Sequence, residues 1–464
     1  MKDWWDRNPT LIVYNNLNVV DEKISKEELN AINTYFKIFY EDIRENFKNL
    51  GSNTYIYEEH KELFKKEFHV PFGIILNPVA IGDFPYPNSF EGFEEFLREN
   101  LPEVFPPFAI EIGKNTLNLS PSPHPNFINV IFIHDEKELI FNLPYDKKIL
   151  LFRMFMAKLG AFKNIIIPYK LKNNDIYVNG FILSTLEGGC PVLKDTKELS
   201  KRLRVFGSCK EVGGHRKRND VIPYDKWENS IGVRSIINLG RYLGEKGLLS
   251  SPVEINSLVK NEKLGKFISM ILSYSRQAEG AFMSYDYELK LFVVTASGRF
   301  NVDKSNLSPK DLVPVIPTEE GIVEVFNIEN IEVKGPSVEA EEFTLPLKEL
   351  GQDIPEILGI VHLHRGIDYF DDEKIIYVPQ DIEKYPPVGC GVDLMHEMSR
   401  YAIFYAINER KIHPEKKIAI FSVPNHGTNI YCFRDEKSLS NPFIYFLKFL
   451  EEGKIKFRFD VPQV

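Results

Sequence analysis

The sequence predicts an α/β protein of two domains, divided near residue 230. At 464 residues the chain is long for a single domain. Segments with apolar residues at helical spacing alternate with short apolar runs that are typical of strands. A hydrophobic fraction of 43% and a charged fraction of 27% are ordinary for a folded protein with a core of normal size. We therefore expect an N-terminal α/β domain over residues 1–230 and a second domain over residues 231–464.

The N-terminal half begins with an amphipathic helix, predicted over residues 23–49 from the helical spacing of its apolar side chains. Short apolar runs between prolines follow, FGIIL and FINVIFI, and they predict strands joined by long loops. A helix and then a strand are expected over residues 145–168. The Gly-rich, basic segment over residues 205–220 is predicted to be an exposed loop. This pattern is common to many α/β folds and predicts no particular function.

The sequence of the C-terminal half predicts helices at both ends and strands between them. Helices are expected over residues 232–249, where Gly247 ends the first, and over residues 263–277. Residues 289–298 predict a strand that enters a tight turn, and residues 320–335 predict two short strands. Further strands are expected in EILGIVHLH and, as a pair, in IAIFSVPNHGTNIYCF, before a last helix in PFIYFLKFLEEG.

Charge and composition exclude several classes of protein. The formal net charge is −9, which argues against nucleic acid as the main partner but is compatible with a small anionic substrate. The four cysteines include no CxxC pair, so neither a disulfide framework nor a zinc knuckle is indicated. No stretch reaches eighteen apolar residues, and the first residues do not resemble a secretory signal. We therefore expect a cytoplasmic protein without a membrane partner.

Two histidines lie two positions apart in the apolar segment IVHLHRG, residues 360–366. Because side chains alternate faces along a strand, His362 and His364 point to the same side and offer two adjacent ligand positions. A catalytic zinc or similar ion uses three protein ligands and one open position, and His426 in VPNHGTN is the best third ligand. The alternative is a pair of strand histidines with ordinary structural roles.

Five short motifs occur in a fixed order around these histidines. They are TASG at 295–298, LSPKDLV at 307–313, PSVE at 336–339, VHLH at 361–364 and NHG at 425–427. His426 lies sixty-two positions after His364, and Pro355 lies seven before His362. This order resembles the class II aldolase/adducin family, in which TPSG-, LTPEDLV- and PSSE-type segments precede a VVHTH strand and a later NHG. The resemblance covers about half of the chain, residues 231–464.

The resemblance implies a three-layer α/β/α sandwich around a mostly antiparallel central sheet for the C-terminal domain. It implies a divalent ion held by His362, His364 and His426, with zinc expected first and manganese, iron or cobalt as alternatives. It also implies a small-molecule substrate and a homo-oligomer, commonly a tetramer with the site at a subunit interface.

The family's catalytic carboxylate follows two serines and lies about nineteen residues before the first histidine. Glu339 matches the local motif PSVE, whereas Glu342 matches the spacing, so both are candidates for the base that moves a proton beside a metal-polarised carbonyl. Pro346 suits the first turn of the following helix. The alternative is a solvated acidic helix start, favoured by the helix dipole.

Anion binding is expected at the turn of Thr295, Ser297 and Gly298, with Ser337 from PSVE, because backbone N–H groups and hydroxyls there would surround a phosphate. A simple polar turn is the alternative. The family's proton donor is a tyrosine after the histidine strand; Tyr369, Tyr377 and Tyr385 are the candidates here, Tyr377 is preferred, and an ordinary packed tyrosine is the alternative for each. His215 and Arg216 could bind an anionic partner or reach the active site, or they could belong to a solvated loop.

We expect a metal-dependent lyase or isomerase of class II aldolase type. It would act on a small hydroxy-carbonyl compound, sugar- or sugar-phosphate-like, through a metal-stabilised enediolate, as cleavage, epimerisation and dehydration all do. Two departures weigh against a phosphate: GAFMS at 280–284 lacks the family's asparagine, and Val338 replaces the second serine. The alternative is a non-catalytic, adducin-like binding or oligomerisation module, against which the retained histidines argue.

Overall fold

The structure is a computed structural model of the chain. It describes residues 7–19, 23–60, 73–81, 109–113, 116–120, 127–159, 161, 163–185, 189–209, 214–249, 280–297, 303–370, 373–381, 392–458 and 460. These residues form two compact units, the first over the described part of residues 7–209 and the second over the described part of residues 214–460. The predicted boundary near 230 lies later in the chain, because the strand over residues 215–222 pairs within the second unit.

The first unit is an α/β sheet with helices against it. Its strands β3, β1, β4, β7 and β8 run parallel in that spatial order, and β10 and β11 extend the sheet antiparallel. The strands are β1 (Thr10–Val13), β2 (Asn18–Val19), β3 (Thr54–Ile56), β4 (Gly73–Ile81), β5 (Ala109–Gly113), β6 (Thr116–Ser120), β7 (Phe127–His134), β8 (Lys163–Lys172), β9 (Asp175–Val178), β10 (Phe181–Ser184) and β11 (Val192–Leu193).

Two helices of the first unit begin at a polar residue whose side chain caps them. Ser25 accepts the backbone N–H of Glu28 at the start of α1, and Asp195 accepts that of Glu198 at the start of α4. The helices are α1 (Lys26–Asn49), α2 (Leu139–Asn142), α3 (Tyr145–Leu159) and α4 (Thr196–Ser208). The predicted first helix and the predicted helix and strand over residues 145–168 are confirmed.

The second unit is built on one nine-stranded sheet among its described residues, in the order β12-β16-β15-β14-β13-β17-β21-β20-β19. The inner pairings are antiparallel, but the outermost pairing at each edge is parallel, so the sheet is mixed rather than mostly antiparallel as expected. Its strands are β12 (His215–Ile222), β13 (Gly280–Asp286), β14 (Leu291–Thr295), β15 (Leu312–Pro317), β16 (Val323–Ile328), β17 (Ile357–Leu363), β19 (Ile375–Tyr377), β20 (Ile418–Val423) and β21 (Gly427–Phe433), and β18 (Gly366–Phe370) pairs separately with β22 (Ile455–Arg458).

Helices pack on both faces of this sheet. Gly232 in α6 lies against Val293 of β14 on one face, and Phe343 in α7 lies beside His362 of β17 on the other. The strand register shows that these are opposite faces. His362 pairs with Ala281 and Val294 pairs with Met283, so the side chains of His362 and Val294 lie on the same face. Val293 is the neighbour of Val294 and therefore points to the other face. The helices are α5 (Tyr224–Asn229), α6 (Ile231–Glu245), α7 (Glu339–Glu349), α8 (Val392–Ile412) and α9 (Ile444–Glu451).

Several local predictions need correction. The predicted loop over residues 205–220 instead contains the end of α4 and strand β12, whose basic side chains pair with Glu320 and Glu324. Pro346 lies inside α7 rather than in its first turn, because the helix already begins at Glu339. The segment 320–335 contains one strand, β16, followed by a tight turn. The helix predicted over residues 263–277 lies outside the described residues.

Helix α6 ends as its sequence predicts. Gly247 has a φ of +67°, a left-handed conformation that glycine adopts without steric penalty, and it follows the last turn of the helix. Among the helices that the structure describes, none has the length and apolar character needed to cross a membrane.

Candidate metal centre

Strand β17 carries two of the three histidines to one end of the central sheet. Its sequence ILGIVHL is buried along its whole length, because helices cover both faces of the sheet. His362 lies near the end of the strand and His364 follows it directly. Their residues are only 2% and 3% exposed, so both imidazoles are almost completely removed from water.

The third histidine comes from the tight turn between β20 and β21. Asn425 has a φ of +57°, which asparagine tolerates better than most residues, and the backbone N–H of His426 donates to the carbonyl of Val423 at 3.1 Å. Because β21 pairs with β17, this turn places His426 beside the other two rings. His426 is 6% exposed.

The three rings converge as the sequence predicts. The centroid of His362 lies 4.9 Å from that of His364 and 4.8 Å from that of His426, and the last two centroids are 4.8 Å apart. One ring nitrogen from each residue lies within 4.8 Å of the other two. Zinc–nitrogen bonds of about 2.1 Å at tetrahedral angles place ligand atoms about 3.4 Å apart. The ring nitrogens are therefore somewhat farther apart than zinc ligands would be, and small side-chain adjustments would bring them to zinc-binding distances.

A neighbouring amide fixes the ligand atom of His362. Nδ1 of His362 lies 2.6 Å from Oδ1 of Asn429, and because this oxygen can only accept, Nδ1 carries the proton. The lone pair is then on Nε2. Asn429 in turn donates from Nδ2 to the hydroxyl of Tyr431 at 3.3 Å. Such an outer partner orients a ligand imidazole and sets its tautomer.

The donor set fits a divalent ion. Nε2 of His362 and Nδ1 of His426 are buried and have no hydrogen-bond partner among the described residues, although buried polar atoms are normally paired. Burial lowers the pKa of His426 to about 4 and also lowers that of His362, so both rings are neutral at pH 7. Neutral imidazoles with uncommitted lone pairs are what a metal ion requires.

Glu339 is the carboxylate that lies with the triad. It starts α7, is buried, and interacts electrostatically with both His362 and His426. Burial raises the pKa of the Glu339 carboxyl, but the interactions with His362 and Lys304 and the hydrogen bonds to the carboxylate, including one from the hydroxyl of Ser337, together outweigh this effect. The pKa therefore lies below its ordinary value, and Glu339 is ionised.

Glu342 lies in the same helical turn but has a different environment. Burial, then the charges of Glu339 and Glu341, raise the pKa of Glu342 well above its ordinary value. The environment of Glu342 therefore favours its protonated form, and Tyr431 rather than a histidine is the group it interacts with. All three glutamates are buried, which excludes the solvated acidic helix start.

The predicted anion-binding residues are only partly brought together. Ala296 and Pro336 form a bridge, and the backbone N–H of Ser337 donates to the carbonyl of Thr295 at 3.0 Å, so the two segments adjoin. The hydroxyl of Thr295 is fully buried and accepts the backbone N–H of Phe282 at 3.2 Å. By register, Thr295 also points to the sheet face opposite His362. Gly298 lies outside the described residues, and Ser297 is partly buried.

Tyr377 is not brought to the histidines within one chain. It lies on β19, the edge strand, three strands from β17, which is about 14 Å across a sheet. Its ring stacks on Phe370 with centroids 5.4 Å apart, and it is 43% exposed. His215 and Arg216 lie at the opposite edge on β12, where Arg216 pairs with Glu320 at 2.8 Å.

Three residues of the site were missed in the sequence. Asn429 and Tyr431 lie at alternating positions on β21, so both share the face of His362. The asparagine three positions after His426 is the signal that could have identified them. Lys304 lies between two recognisable motifs and no periodicity marks it. It is nonetheless buried beside β13.

Comparisons with known proteins add little. No family model and no curated protein matches the chain. Among solved structures, a chain described as L-fuculose 1-phosphate aldolase is 15% identical and aligns over 48% of this chain and 85% of its own length, with a TM-score of 0.23. At that TM-score the likeness carries no argument, and the functional conclusion depends on the site.

Replacing Asn429 should weaken metal binding. Asn429→Leu removes the acceptor that holds Nδ1–H of His362, so we expect zinc affinity to fall by about 10- to 100-fold. Asn429→Asp keeps an acceptor oxygen and should retain most of the affinity. Competition with a chromophoric chelator measures both constants. Equal affinity in the leucine variant and the unmodified protein would show that Asn429 does not position the ligand.

Proposed function

We propose that the second unit is a metal-dependent lyase or isomerase of class II aldolase type, with the α/β/α fold of that family. The observation that carries the proposal is the convergence of three buried histidines. The pKa values of His362 and His426 are lowered by burial, and Asn429 orients the ring of His362. Zinc is the first candidate for the ion, and manganese, iron and cobalt are alternatives. A divalent ion held there would polarise the carbonyl and hydroxyl oxygens of a bound substrate.

The chain's own residues supply the proton transfer. Glu339 is ionised, lies beside His362 and His426, and is held by the hydroxyl of Ser337, so it is the base that takes a proton from the carbon next to the carbonyl. Burial excludes water from this proton transfer. These features suit a small hydroxy-carbonyl substrate, sugar- or sugar-phosphate-like. They are shared by cleavage, epimerisation and dehydration.

Metal content is the first test. The purified protein should contain about one divalent ion per chain, and His362→Ala, His364→Ala and His426→Ala should each lose it. His413→Ala is the matched control, because His413 is a half-exposed histidine of the same unit. Mass spectrometry of the desalted proteins gives the stoichiometry. No bound ion, and none taken up from solution, would reject the proposal and favour a non-catalytic, adducin-like module.

Proton exchange tests the chemistry without knowledge of the natural substrate. In deuterated water the protein should exchange the C–H hydrogens of dihydroxyacetone or hydroxyacetone, observed by proton NMR. Chelation should stop the exchange, and zinc or manganese should restore it. Metal-loaded protein that exchanges no hydroxy-carbonyl compound would contradict the assigned reaction class. The homo-oligomer and the cytoplasmic location stay predictions, as does the absence of nucleic-acid and membrane partners.

A further inference from the structure

Tyr431 is a fully buried tyrosine on the face of the central sheet that carries His362. Asn429 of β21 pairs with His362 of β17, and Tyr431 pairs with Ile360, so the side chains of both β21 residues lie on that face. A phenolic hydroxyl that is removed from water needs hydrogen-bond partners. Nδ2 of Asn429 lies 3.3 Å from this hydroxyl and donates to it.

The other neighbours of this hydroxyl belong to two helices. Ser399 of α8 hydrogen-bonds to the phenolic oxygen, and Glu342 of α7 lies close enough to interact with it. The side chains of Ser399 and Glu342 are both buried. The tyrosine therefore lies between the strand that neighbours β17 and two helices, and its hydroxyl is held from more than one side.

The amide of Asn429 connects this hydroxyl to a candidate metal ligand. Its Oδ1 lies 2.6 Å from Nδ1 of His362. An amide has a donor end and an acceptor end, so turning it over exchanges the groups that face the ring and the hydroxyl. In the turned orientation Nδ2 would donate to Nδ1 of His362, and the ring proton would move to Nε2, whose lone pair an ion needs. The orientation of one amide thus decides whether Nε2 of His362 is a ligand.

The phenolic hydroxyl stabilises the orientation that leaves this lone pair free. A hydroxyl has one proton and two lone pairs. With Ser399 as its second partner, the hydroxyl of Tyr431 can direct a lone pair to Nδ2 of Asn429. Without the hydroxyl, Nδ2 would face an apolar ring and its N–H would be unpaired. A buried donor without an acceptor is costly, so the amide would no longer be held in one orientation.

We propose that Tyr431 is a positioning residue of the metal site, whose hydroxyl holds the amide of Asn429 so that Nε2 of His362 keeps its lone pair for the ion. The inference rests on the proposed metal-dependent function and adds to it a residue that contacts neither the ion nor the substrate. Tyr431 acts through Asn429, and Ser399 supports the hydroxyl. Control of this ligand therefore runs from α8 through β21 to β17.

Zinc affinity, measured on the full chain by competition with a chromophoric chelator, gives the first test. Tyr431→Phe removes only the hydroxyl and should weaken zinc binding by about 2- to 10-fold, the effect of one buried hydrogen bond. In the Asn429→Leu background it should cause no further loss, because the amide is gone. Tyr285→Phe is the matched control: Tyr285 is buried on β13, four residues from the partner of His362, and its hydroxyl donates to the carbonyl of Asp353 at 3.0 Å. It should bind zinc like the unmodified protein.

The tautomer of His362 gives a second test that needs no bound metal. Nitrogen NMR of the zinc-free protein, made with isotopically labelled histidine, should show the Nδ1–H form of His362, assigned by its loss in His362→Ala. Tyr431→Phe should shift the ring nitrogens toward the Nε2–H form, whereas Tyr285→Phe should not. A protein that only loses stability would not change the tautomer of one histidine.

The outcomes separate this inference from the proposed function. Unchanged zinc affinity or an unchanged His362 tautomer in Tyr431→Phe would overturn the role of Tyr431 and keep the metal site. Equal losses of affinity with and without Asn429 would also overturn it, because Tyr431 would then act on the fold rather than through the amide. If the unmodified protein binds no zinc, the proposed function fails, and the tautomer alone decides the role of Tyr431.

Discussion

Glu339→Gln should reduce exchange or turnover by about 100- to 10,000-fold while leaving the bound metal in place. The amide has the shape of the carboxylate but cannot take a proton, and Glu339 is not one of the three converging ligands. Metal stoichiometry and the rate of deuterium exchange into dihydroxyacetone, measured on the same preparation, separate a catalytic defect from a binding defect.

Glu342→Gln is the matched control. Glu342 lies three residues further along the same helix, and burial raises the pKa of its carboxyl, which favours the neutral form. An amide of similar size then replaces a group whose neutral form is already favoured. We expect at most a few-fold loss. A large loss in Glu342→Gln with little change in Glu339→Gln would reverse the two roles and make the spacing of the family motif, rather than its local sequence, the better guide.

The histidine triad was predictable because each part of it has a local signature. Alternation along β17 puts two imidazoles on one side, and a turn after an apolar strand presents the third. The choice between Glu339 and Glu342 was not predictable, because both carboxylates belong to one helical turn. It depends on which of them faces the sheet, and only packing against β17 decides this.

Tyr377 and Lys304 show two ways in which prediction from the sequence failed: Tyr377 was expected at the site and lies away from it, whereas Lys304 was not expected. Tyr377 has the right position in the chain, but pairing of β19 with β20 carries it to the edge of the sheet. Lys304 has no motif of its own, yet the close approach of its backbone to Gly240 buries it beside β13. Strand order and backbone contacts far apart in the sequence decide both positions. A contact between distant residues also explains β12: its basic segment forms a strand because Glu324 lies opposite Arg216 on the neighbouring strand.

Gly280→Ala should prevent the second unit from folding stably, at a cost above about 4 kcal/mol. A Cβ at Gly280 would lie 1.8 Å from the carbonyl oxygen of His362, which is backbone and cannot rotate away. Strand β13 would have to separate from β17 at the point where the metal ligands begin. Denaturant unfolding followed by circular dichroism measures the loss, and the variant should also bind no zinc.

Gly453→Ala distinguishes this packing effect from the general cost of replacing a glycine. Gly453 has a φ of +69° and open space where its Cβ would be, so the substitution costs only the strain of a left-handed alanine, about 1–2 kcal/mol. Gly427 provides a second case from the other side of β17, because a Cβ there would lie 2.2 Å from the carbonyl of Leu363. If Gly280→Ala and Gly427→Ala unfold no earlier than Gly453→Ala, the three strands do not approach one another this closely. The histidines at the end of β17 would then lack the rigid support on which the metal site depends.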